Sequence, residues 1–279
     1  MSETTAGQTP ETCTHDCGTC GSACGERTAP QKLAPNAVSS IGRVIGVVSG
    51  KGGVGKTSVT CMLASELRRA GKRVGIMDAD VTGPSIPKAF GVSGPIAATQ
   101  TGLTPPESES GVKVMSTNLL LPQDDMPVAW RGPVVSGILK QFFDEVNWGD
   151  LDYLLIDMPP GTSDVLLTVF QQIPVDGIVT VSAPQELVGM IVGKAVNLAA
   201  EMNVPVLGLV ENMAYFVCDE CGKRHYIFGE PTGAEVVSKY RIPAYATLPI
   251  DPQVASLMDA GKIADYDVKG ALAPILSAL

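Results

Sequence analysis

Val44–Ser49 (VIGVVS) and the following Gly50–Thr57 (GKGGVGKT) decide the fold of this 279-residue chain. The first stretch is a short apolar run, which predicts a buried strand. A helix is predicted from about Thr57 to Ala70, where Gly71 ends it. The glycine-rich loop between strand and helix carries the pattern G-x-x-x-x-G-K-[ST] in the context that this pattern requires. The sequence therefore predicts a phosphate-binding loop (P-loop).

The chemistry of this loop follows from its residue types. Successive backbone N–H groups and the helix N-terminus cradle phosphate oxygens. Lys56 is expected to contact the terminal phosphates of a nucleotide, and the Thr57 hydroxyl to ligate Mg²⁺. A glycine-rich turn without a ligand is the alternative. The expected nucleotide-binding residues in this stretch are Gly50, Lys51, Gly52, Gly53, Val54, Gly55, Lys56, Thr57 and Ser58.

Further apolar strands alternate with helix-like segments along the chain. Alternation of this kind predicts an α/β fold with a doubly wound, mostly parallel sheet, as in P-loop NTPases. Gly91–Met126 is strand- and turn-like and is expected to form an insertion at one edge. The predicted strands are Val74–Met77, Leu154–Ile156, Gly177–Val181 and Val206–Val210, and the predicted helices are Val134–Val146 and about 188–202.

Two carboxylates stand at predicted strand ends. Asp157 follows Leu154–Ile156, where a carboxylate that organises Mg²⁺ and its waters is expected. Asp78 ends the second strand, and a strand-end or capping role is its alternative. Since the carboxyl ends of parallel strands share one edge of the sheet, both residues are expected beside the loop.

Composition excludes several classes of protein. Hydrophobic residues make up 45% and charged residues 18%, so the chain has enough apolar surface to form a core. The net charge of −9 gives no basic footprint for nucleic acid and no attraction to anionic membrane. No apolar run approaches the roughly 18 residues of a membrane span, and residues 1–10 lack a secretory signal. A cytoplasmic protein is expected.

The seven cysteines are unevenly distributed, and two groups of them are candidate metal sites. Residues 1–40 have no apolar periodicity and are expected to form a flexible arm, followed by an ATPase domain over 41–279. In the arm, C-x₃-C-x₂-C-x₃-C supplies four thiolates, which suffice for a [4Fe–4S] cluster or for zinc, with unliganded thiols as the third possibility. Cys61 is expected to be a buried apolar residue. The four thiolates belong to Cys13, Cys17, Cys20 and Cys24.

Cys218 and Cys221 form a separate CxxC pair. Two thiolates cannot fill a four-coordinate site, so the pair must recruit ligands, most simply from a symmetry mate. A zinc site, with His225 as a possible ligand, and a redox dithiol are the alternatives. Acidic neighbours and Gly222 indicate a hairpin-like knuckle.

The second loop lysine, Lys51, makes the loop resemble KGGxGK[ST], the deviant Walker A signature of the ParA/MinD superfamily. The resemblance implies a homodimer in which Lys51 reaches the partner's nucleotide and acts on its transition-state charge. It further implies that Asp80 lies in switch I and orients the attacking water or the Mg²⁺ shell. Pro159–Thr162 resembles switch II, and Asn212 matches the asparagine that reads adenine, with a strand-end turn residue as its alternative.

Several stretches resemble one branch of the superfamily, the Mrp/NBP (ApbC-like) nucleotide-binding iron–sulfur carriers. These are Asp78–Ser85 (DADVTGPS), Trp130–Pro133 (WRGP), Asp157–Asp164 (DMPPGTSD), Glu211–Met213 (ENM) and the CxxC, within a similarity covering roughly residues 43–260. In that group the CxxC pairs of two subunits hold one bridging [4Fe–4S] cluster, and NBP-type members add an N-terminal four-cysteine site. The N-terminal spacing departs from the family's, where the first cysteine lies further from the rest, so Cys13 is the least secure ligand.

The resemblance implies a homodimeric ATPase that binds ATP and Mg²⁺, assembles [4Fe–4S] clusters and transfers them to apo iron–sulfur proteins. Lys51, Lys56, Asp80 and Asp157 are the expected catalytic residues. An ATP-driven electron-transfer reductase with a bridged cluster is one alternative. A positioning or partitioning ATPase is another, and it should carry a basic surface or a basic C-terminal helix, whereas residues 265–279 contain one lysine and two aspartates.

Overall fold

The computed structural model describes residues 32–279 except 82, 84, 95, 122–131, 162–163 and 185–187. The strands in this part of the chain are β1 (Ser40–Ser49), β2 (Val74–Asp78), β3 (Ala97–Thr99), β4 (Gly102–Thr104), β5 (Val112–Met115), β6 (Asp150–Asp157), β7 (Gly177–Ser182), β8 (Val206–Val217), β9 (Arg224–His225) and β10 (Tyr245–Pro249). The α-helices are α1 (Lys56–Arg69), α2 (Ile86–Ala89), α3 (Gly132–Asp144), α4 (Asp164–Gln172), α5 (Val188–Glu201), α6 (Gly233–Tyr240), α7 (Pro252–Asp259) and α8 (Ala273–Ala278). Short 3₁₀ helices cover Thr117–Leu120 and Ile263–Asp265.

The main sheet has the strand order β10-β8-β7-β1-β6-β2-β5, and every neighbouring pair in it is parallel. β1 is central, with β6 on one side and β7 on the other. The chain leaves β1 for β2 on one side and later crosses to β7 on the other. The carboxyl end of β1 is therefore a topological switch point, where open α/β sheets bind their ligands. The predicted doubly wound, mostly parallel sheet is confirmed.

Helices cover both faces of this sheet, which explains the nearly continuous burial of its central strands. One face packs against α1, α7 and α8 through side chains such as Leu63 and Ile275. The other face packs against α3 and α4 through Phe142, Phe143 and Phe170. A smaller cluster joins α5 and α6 to β8.

Two features extend beyond the elements predicted from sequence. β8 runs to Val217, past the predicted end at Val210 and past Asn212, because its second half pairs with β10 and β9. The predicted edge insertion contains the β3–β4 hairpin and also β5, which pairs with β2 in parallel and so belongs to the main sheet. Residues 122–126 of that insertion lie outside the described part of the chain.

Lys32–Leu279 form one compact unit. Ahead of β1, the Leu33 backbone N–H donates to the Gln172 carbonyl over 2.7 Å, so the chain already packs on the body there. Of the predicted arm over residues 1–40, residues 32–40 belong to the compact unit, and residues 1–31, with the four-cysteine motif, lie outside the described residues. Of the helices in the described ranges, none is long and apolar enough to cross a bilayer.

Candidate functional site

The glycine-rich loop follows β1 at the switch point and leads directly into α1. Gly53 and Gly55 have φ angles of 80° and 78°, a left-handed conformation that strains any residue with a Cβ. A Cβ on Gly55 would also overlap the side-chain nitrogen of Asn212. Glycine is therefore required at Gly55 both for its backbone conformation and for the close approach of β8.

Asp157 is the centre of a buried polar network at the end of β6. Its Oδ2 atom lies 2.7 Å from Lys56 Nζ and accepts a 2.7 Å hydrogen bond from Thr57 Oγ1. Its Oδ1 atom accepts a 2.6 Å bond from Thr60 Oγ1. The structure thus brings together Lys56, Thr57 and Asp157, three residues that the sequence analysis assigned to one site.

Thr60 is a member of this network that the sequence analysis missed. It is fully buried one turn after Lys56, and its hydroxyl oxygen also lies 3.1 Å from the Lys56 carbonyl oxygen. Its position on the same helix face as Lys56, one turn later, was the available signal, since residues four apart share a face. The Thr60 hydroxyl thus contacts one oxygen of the Asp157 carboxylate, and Lys56 and Thr57 contact the other.

Lys56 is poised for an anion. Its ammonium is buried and close to Asp157, but within the described residues the contact lacks hydrogen-bond alignment and no other acceptor is present. A buried ammonium with unsatisfied protons is costly, and phosphate oxygens supply the missing acceptors. Lys51, at the start of the same loop, is exposed.

Asp78 lies directly beside Asp157, because the two are register partners on β2 and β6. Asp78 accepts bonds from Ser116 Oγ (3.2 Å) and from the Asp80 backbone N–H (3.2 Å). Burial, followed by the charge of Asp157, raises the pKa of Asp78 to about 8. Lys56 and these two donors act in the opposite direction. Asp78 therefore keeps its proton to a higher pH than an ordinary aspartate does. Asp80 lies two residues after the end of β2, in the loop that follows it.

The segment after Asp157 runs close to the phosphate loop. The Met158 N–H donates to Val47 O over 3.1 Å, and the Gly161 N–H donates to Ser49 O over 2.8 Å. These bonds hold the start of the predicted switch II segment against the end of β1. Thr162, which completes that segment, lies outside the described residues.

A cavity of about 230 Å³ opens beside Gly55, on the side of the loop that faces β8 and α7. Asn212 lines it and donates from Nδ2 to Val54 O over 3.0 Å, which fixes its side chain at the loop. Most of the remaining lining is apolar, as expected of a site for the flat face of a base. That lining includes Met62, Met213, Leu248, Ile250, Val254 and Met258. The predicted base-reading position of Asn212 stays a prediction that this placement supports.

Asp251 and Tyr266 also line this cavity and were missed from sequence. Tyr266 donates its hydroxyl to Asp251 Oδ2 over 3.0 Å, and Asp251 Oδ1 caps α7 by accepting from the Gln253 N–H over 2.9 Å. Burial and the hydrogen bond to Asp251 raise the pKa of Tyr266. The Asp-Pro pair at 251–252 was a readable helix start, but nothing local placed that helix at the cavity.

The CxxC pair lies on a hairpin at the far end of β8. The Cys218 N–H donates to Lys223 O (3.0 Å), the Gly222 N–H donates to Cys218 O (2.8 Å), and Gly222 has a φ of 68°. This is the tight knuckle predicted from sequence. Backbone N–H donors of Cys221 and Glu220, followed by the Cys221 thiol, lower the pKa of Cys218 and so favour its thiolate.

Within the described residues, no third metal ligand lies beside this cysteine pair. Cys221 is exposed and Cys218 half-buried, while Cys61 is fully buried in α1 as predicted. No group of three or more His, Cys, Asp or Glu side chains in the described ranges is arranged around a common metal position. His225 is exposed on β9, where it pairs with Phe216 in the antiparallel ladder.

Large apolar side chains are exposed around the hairpin. Val217 precedes the pair, and Tyr226, Ile227 and Phe228 follow it, with Ile227 60% and Phe228 49% exposed. Contiguous apolar exposure of this kind marks an interaction surface. We call Val217 and Tyr226–Phe228 the hairpin patch.

A parallel sheet with a glycine-rich loop at its switch point, a buried lysine and a strand-end aspartate defines a P-loop NTPase. The sequence profile of the ParA group described as the NUBPL iron-transfer P-loop NTPase matches residues 40–277. The chain belongs to this family.

Known relatives and solved structures agree with this assignment. The chain is 47% identical over 247 residues to the iron-sulfur cluster carrier protein of Clostridium perfringens (strain 13 / Type A), covering 86% of each chain. The corresponding protein of Methanocaldococcus jannaschii is 42% identical over 262 residues, covering 89% of each. The nucleotide-binding protein of Archaeoglobus fulgidus, solved with ADP, superposes with a TM-score of 0.74 at 46% identity, over 81% of this chain and 89% of that one.

A more distant neighbour shows the fold alone. It is the cell division ATPase MinD of Pyrococcus furiosus, with a TM-score of 0.62 at 21% identity, over 85% of this chain and 98% of that one. The family match over residues 40–277 and the carrier relatives at 42–47% identity confirm the resemblance to the ParA/MinD superfamily and to its iron–sulfur branch.

Proposed function

We propose that this protein is an ATP-hydrolysing carrier that assembles [4Fe–4S] clusters and transfers them to apo iron–sulfur proteins as a homodimer. One observation carries the proposal: the strand β8 contacts the preformed phosphate loop through Asn212 and leads directly into the solvent-accessible cysteine pair that begins at Cys218. The 42–47% identity to the iron-sulfur cluster carrier proteins of C. perfringens and M. jannaschii supports it.

The nucleotide-binding part of the proposal rests on the buried polar network around Asp157 at the phosphate loop. Gly50–Ser58 would wrap the phosphates, with Lys56 exchanging its contact to Asp157 for phosphate oxygens. The Thr57 hydroxyl and the Asp157 carboxylate are hard oxygen donors held 2.7 Å apart, and they fit Mg²⁺ as direct ligand and water-holding carboxylate respectively. The bound ion would neutralise charge that develops on the phosphates. Asp80 would orient the attacking water, and Asn212 would read adenine.

Lys51 would complete the site of the partner subunit. It is exposed at the start of the loop, on the same edge of the sheet as the phosphate site. A cation supplied in trans makes hydrolysis depend on dimerisation, as an arginine finger does.

The cluster is cargo, held by Cys218 and Cys221 of each subunit. Two thiolates per chain leave half of a four-iron cluster without ligands, so a second copy of the same hairpin completes the set. The exposed hairpin patch would be covered in that dimer. Lowering of the Cys218 pKa favours the thiolate form that binds iron. The N-terminal Cys13, Cys17, Cys20 and Cys24 would hold a second [4Fe–4S] cluster, and the protein would act in the cytoplasm.

Anaerobic reconstitution with iron and sulfide tests the proposal. Iron, sulfide and Mössbauer spectra are measured on the wild type, on Cys218→Ser/Cys221→Ser and on a variant with serine at all four N-terminal cysteines. We expect about four irons per dimer to vanish with the CxxC pair and to persist in the N-terminal variant. Cys61→Ala is the matched control, since this buried thiol should bind no iron.

Transfer to an apo-acceptor separates the carrier from a reductase. Loss of the cluster to an apo-protein supports the carrier, whereas a cluster retained through redox cycling indicates the reductase. Zinc at the pair in place of iron would contradict both.

A further inference from the structure

β8 is irregular at the point where it passes the nucleotide cavity. From Thr247 to Pro249 the neighbouring strand β10 advances two residues, whereas β8 advances four, from Glu211 to Tyr215. The additional residues form a bulge, which bends a strand locally. Within the bulge, Met213 has a φ of 54°, a left-handed conformation that is strained for a residue with a long side chain.

The bulge contacts the nucleotide cavity directly. Asn212 is fixed to Val54 O, and the Met213 side chain lines the cavity together with Gly55. A Cβ built on Gly55 would lie 3.3 Å from Met213 Cε, which shows how closely the thioether approaches the phosphate loop. A molecule that fills this cavity therefore contacts the bulge through Asn212 and Met213.

The other side of the bulge is tied to the cysteine hairpin. Two residues after Met213, the Tyr215 carbonyl accepts from the Ile250 N–H over 2.7 Å, which restores the pairing to β10. The Arg224 guanidinium lies 4.3 Å from the centroid of the Tyr215 ring and so joins β9 to the same point. Since Cys218 also bonds to Lys223, the hairpin is linked to β8 as one unit.

We propose that Met213 is a positioning residue through which nucleotide occupancy sets the position of the Cys218–Cys221 hairpin. Its left-handed backbone maintains the bulge that places Asn212 at the phosphate loop and directs the remaining four strand residues and the hairpin outward. Nucleotide in the cavity shifts the bulge, and the paired hairpin moves with it. This inference rests on the proposed function in one respect, that the cavity binds nucleotide.

Thiol reactivity in the full-length apo protein tests this connection without a cluster. Alkylation of Cys218 and Cys221 by iodoacetamide is followed by peptide mass spectrometry, with and without Mg²⁺ and a non-hydrolysable ATP analogue. The analogue is used far above the dissociation constant measured for each variant, which removes differences in affinity. In the wild type we expect the nucleotide to change the alkylation rate by about fivefold or more.

Three substitutions separate the backbone of Met213 from its side chain. Met213→Gly relaxes the left-handed backbone and should abolish most of the nucleotide response, because the bulge no longer transmits a shift. Met213→Ala loses the thioether contact with the cavity but keeps the backbone preference and the Asn212 contact, so it should lower the response less than Met213→Gly does. Asn203→Gly is the matched control, since Asn203 has a φ of 56° near the opposite end of β8.

Three results would overturn the inference: a wild type that binds nucleotide without a change in alkylation, a Met213→Gly variant with the full response, or an Asn203→Gly variant that loses it. Nucleotide binding is measured by calorimetry, and bound iron is counted, on the same preparations. These two measurements show whether the inference alone is wrong or whether the proposed function is wrong as well. If nucleotide binds and the pair takes up iron, an absent response overturns the inference alone. If nucleotide does not bind, both the inference and the proposed function are wrong.

Discussion

Lys56 Nζ and Asp157 Oδ2 lie 2.7 Å apart, and the two side chains are only 6% and 1% exposed. Burial of such a pair costs desolvation energy that their attraction offsets only while both charges are present. Removal of either charge would therefore leave the other one buried without compensation. Nucleotide binding would replace this contact rather than add to it.

The first prediction concerns the stability of the nucleotide-free protein. Lys56→Met and Asp157→Asn should each lower the free energy of unfolding by about 3–5 kcal/mol, because each leaves one buried group without its partner. The double variant should lose less than the sum, as measured by urea denaturation. Lys88→Met and Asp259→Asn are the matched controls, since that 2.9 Å pair is 68% and 76% exposed and should contribute about 0–1 kcal/mol. Additive effects at the buried pair would contradict the prediction.

The second prediction concerns Asp78, whose pKa is raised to about 8. An unfolded aspartate releases its proton near pH 4, so between about pH 4 and 8 the folded protein binds more protons than the unfolded chain. This residue therefore makes stability fall as the pH rises through that window, by up to about 1.4 kcal/mol per pH unit. Asp78→Asn should flatten the decline measured by urea denaturation from pH 5 to 8. Asp150→Asn, at an exposed carboxylate, should leave the decline of stability with pH unchanged. The same decline in the wild type and in Asp78→Asn would contradict the raised pKa of Asp78.

The third prediction compares two loop glycines with the same backbone conformation. Gly53→Ala meets no atom within 4 Å and should cost only the left-handed strain, about 1–2 kcal/mol. Gly55→Ala has the same strain and also overlaps the Asn212 side chain, so it should be clearly more destabilising. Thermal denaturation of the nucleotide-free proteins measures the difference. Equal losses would mean that Asn212 moves aside at no cost.

The fourth prediction tests the hairpin patch. Ile227→Ser/Phe228→Ser should weaken the iron-loaded dimer by about tenfold or more, since each buried apolar side chain contributes about 1.5–3 kcal/mol. Monomer stability should change little, because both side chains are exposed. Analytical ultracentrifugation of the reconstituted protein gives the dissociation constant. Val38→Ser, at a side chain 50% exposed and distant in sequence, should leave it unaltered.

The fifth prediction concerns action in trans by Lys51. Lys51→Ala should bind nucleotide normally and hydrolyse it about a thousandfold more slowly. Mixing it with Lys56→Ala, which supplies Lys51 but lacks the phosphate-binding lysine, should restore part of the hydrolysis measured by phosphate release. A mixture no faster than its components would indicate that Lys51 acts within its own subunit.

The sequence predicted the site better than the elements around it. Gly50–Thr57 and Asp157 were found because a strand, a loop of fixed spacing and a strand-end carboxylate are local patterns. β10 and α7 were not predicted, although they line the cavity beside Asn212, because Tyr245–Pro249 is short and has weak alternation. Thr60 and Tyr266 were missed for a related reason: their partners, Asp157 and Asp251, are distant or lie on another element.

By itself, the sequence determined the alternation of five strands of the main sheet with helices, the phosphate loop and the presence of a cysteine pair. These properties depend on neighbours within a few residues, through hydrophobic periodicity and the conformational freedom of glycine. The tertiary structure alone decided that Asp78 and Asp157 adjoin in register, which raises the pKa of Asp78. It also decided that β8 continues through a bulge at Met213 and joins the cavity beside Gly55 to the cysteine hairpin. Strand pairing and burial set both properties, because they depend on which distant segments the sheet brings side by side.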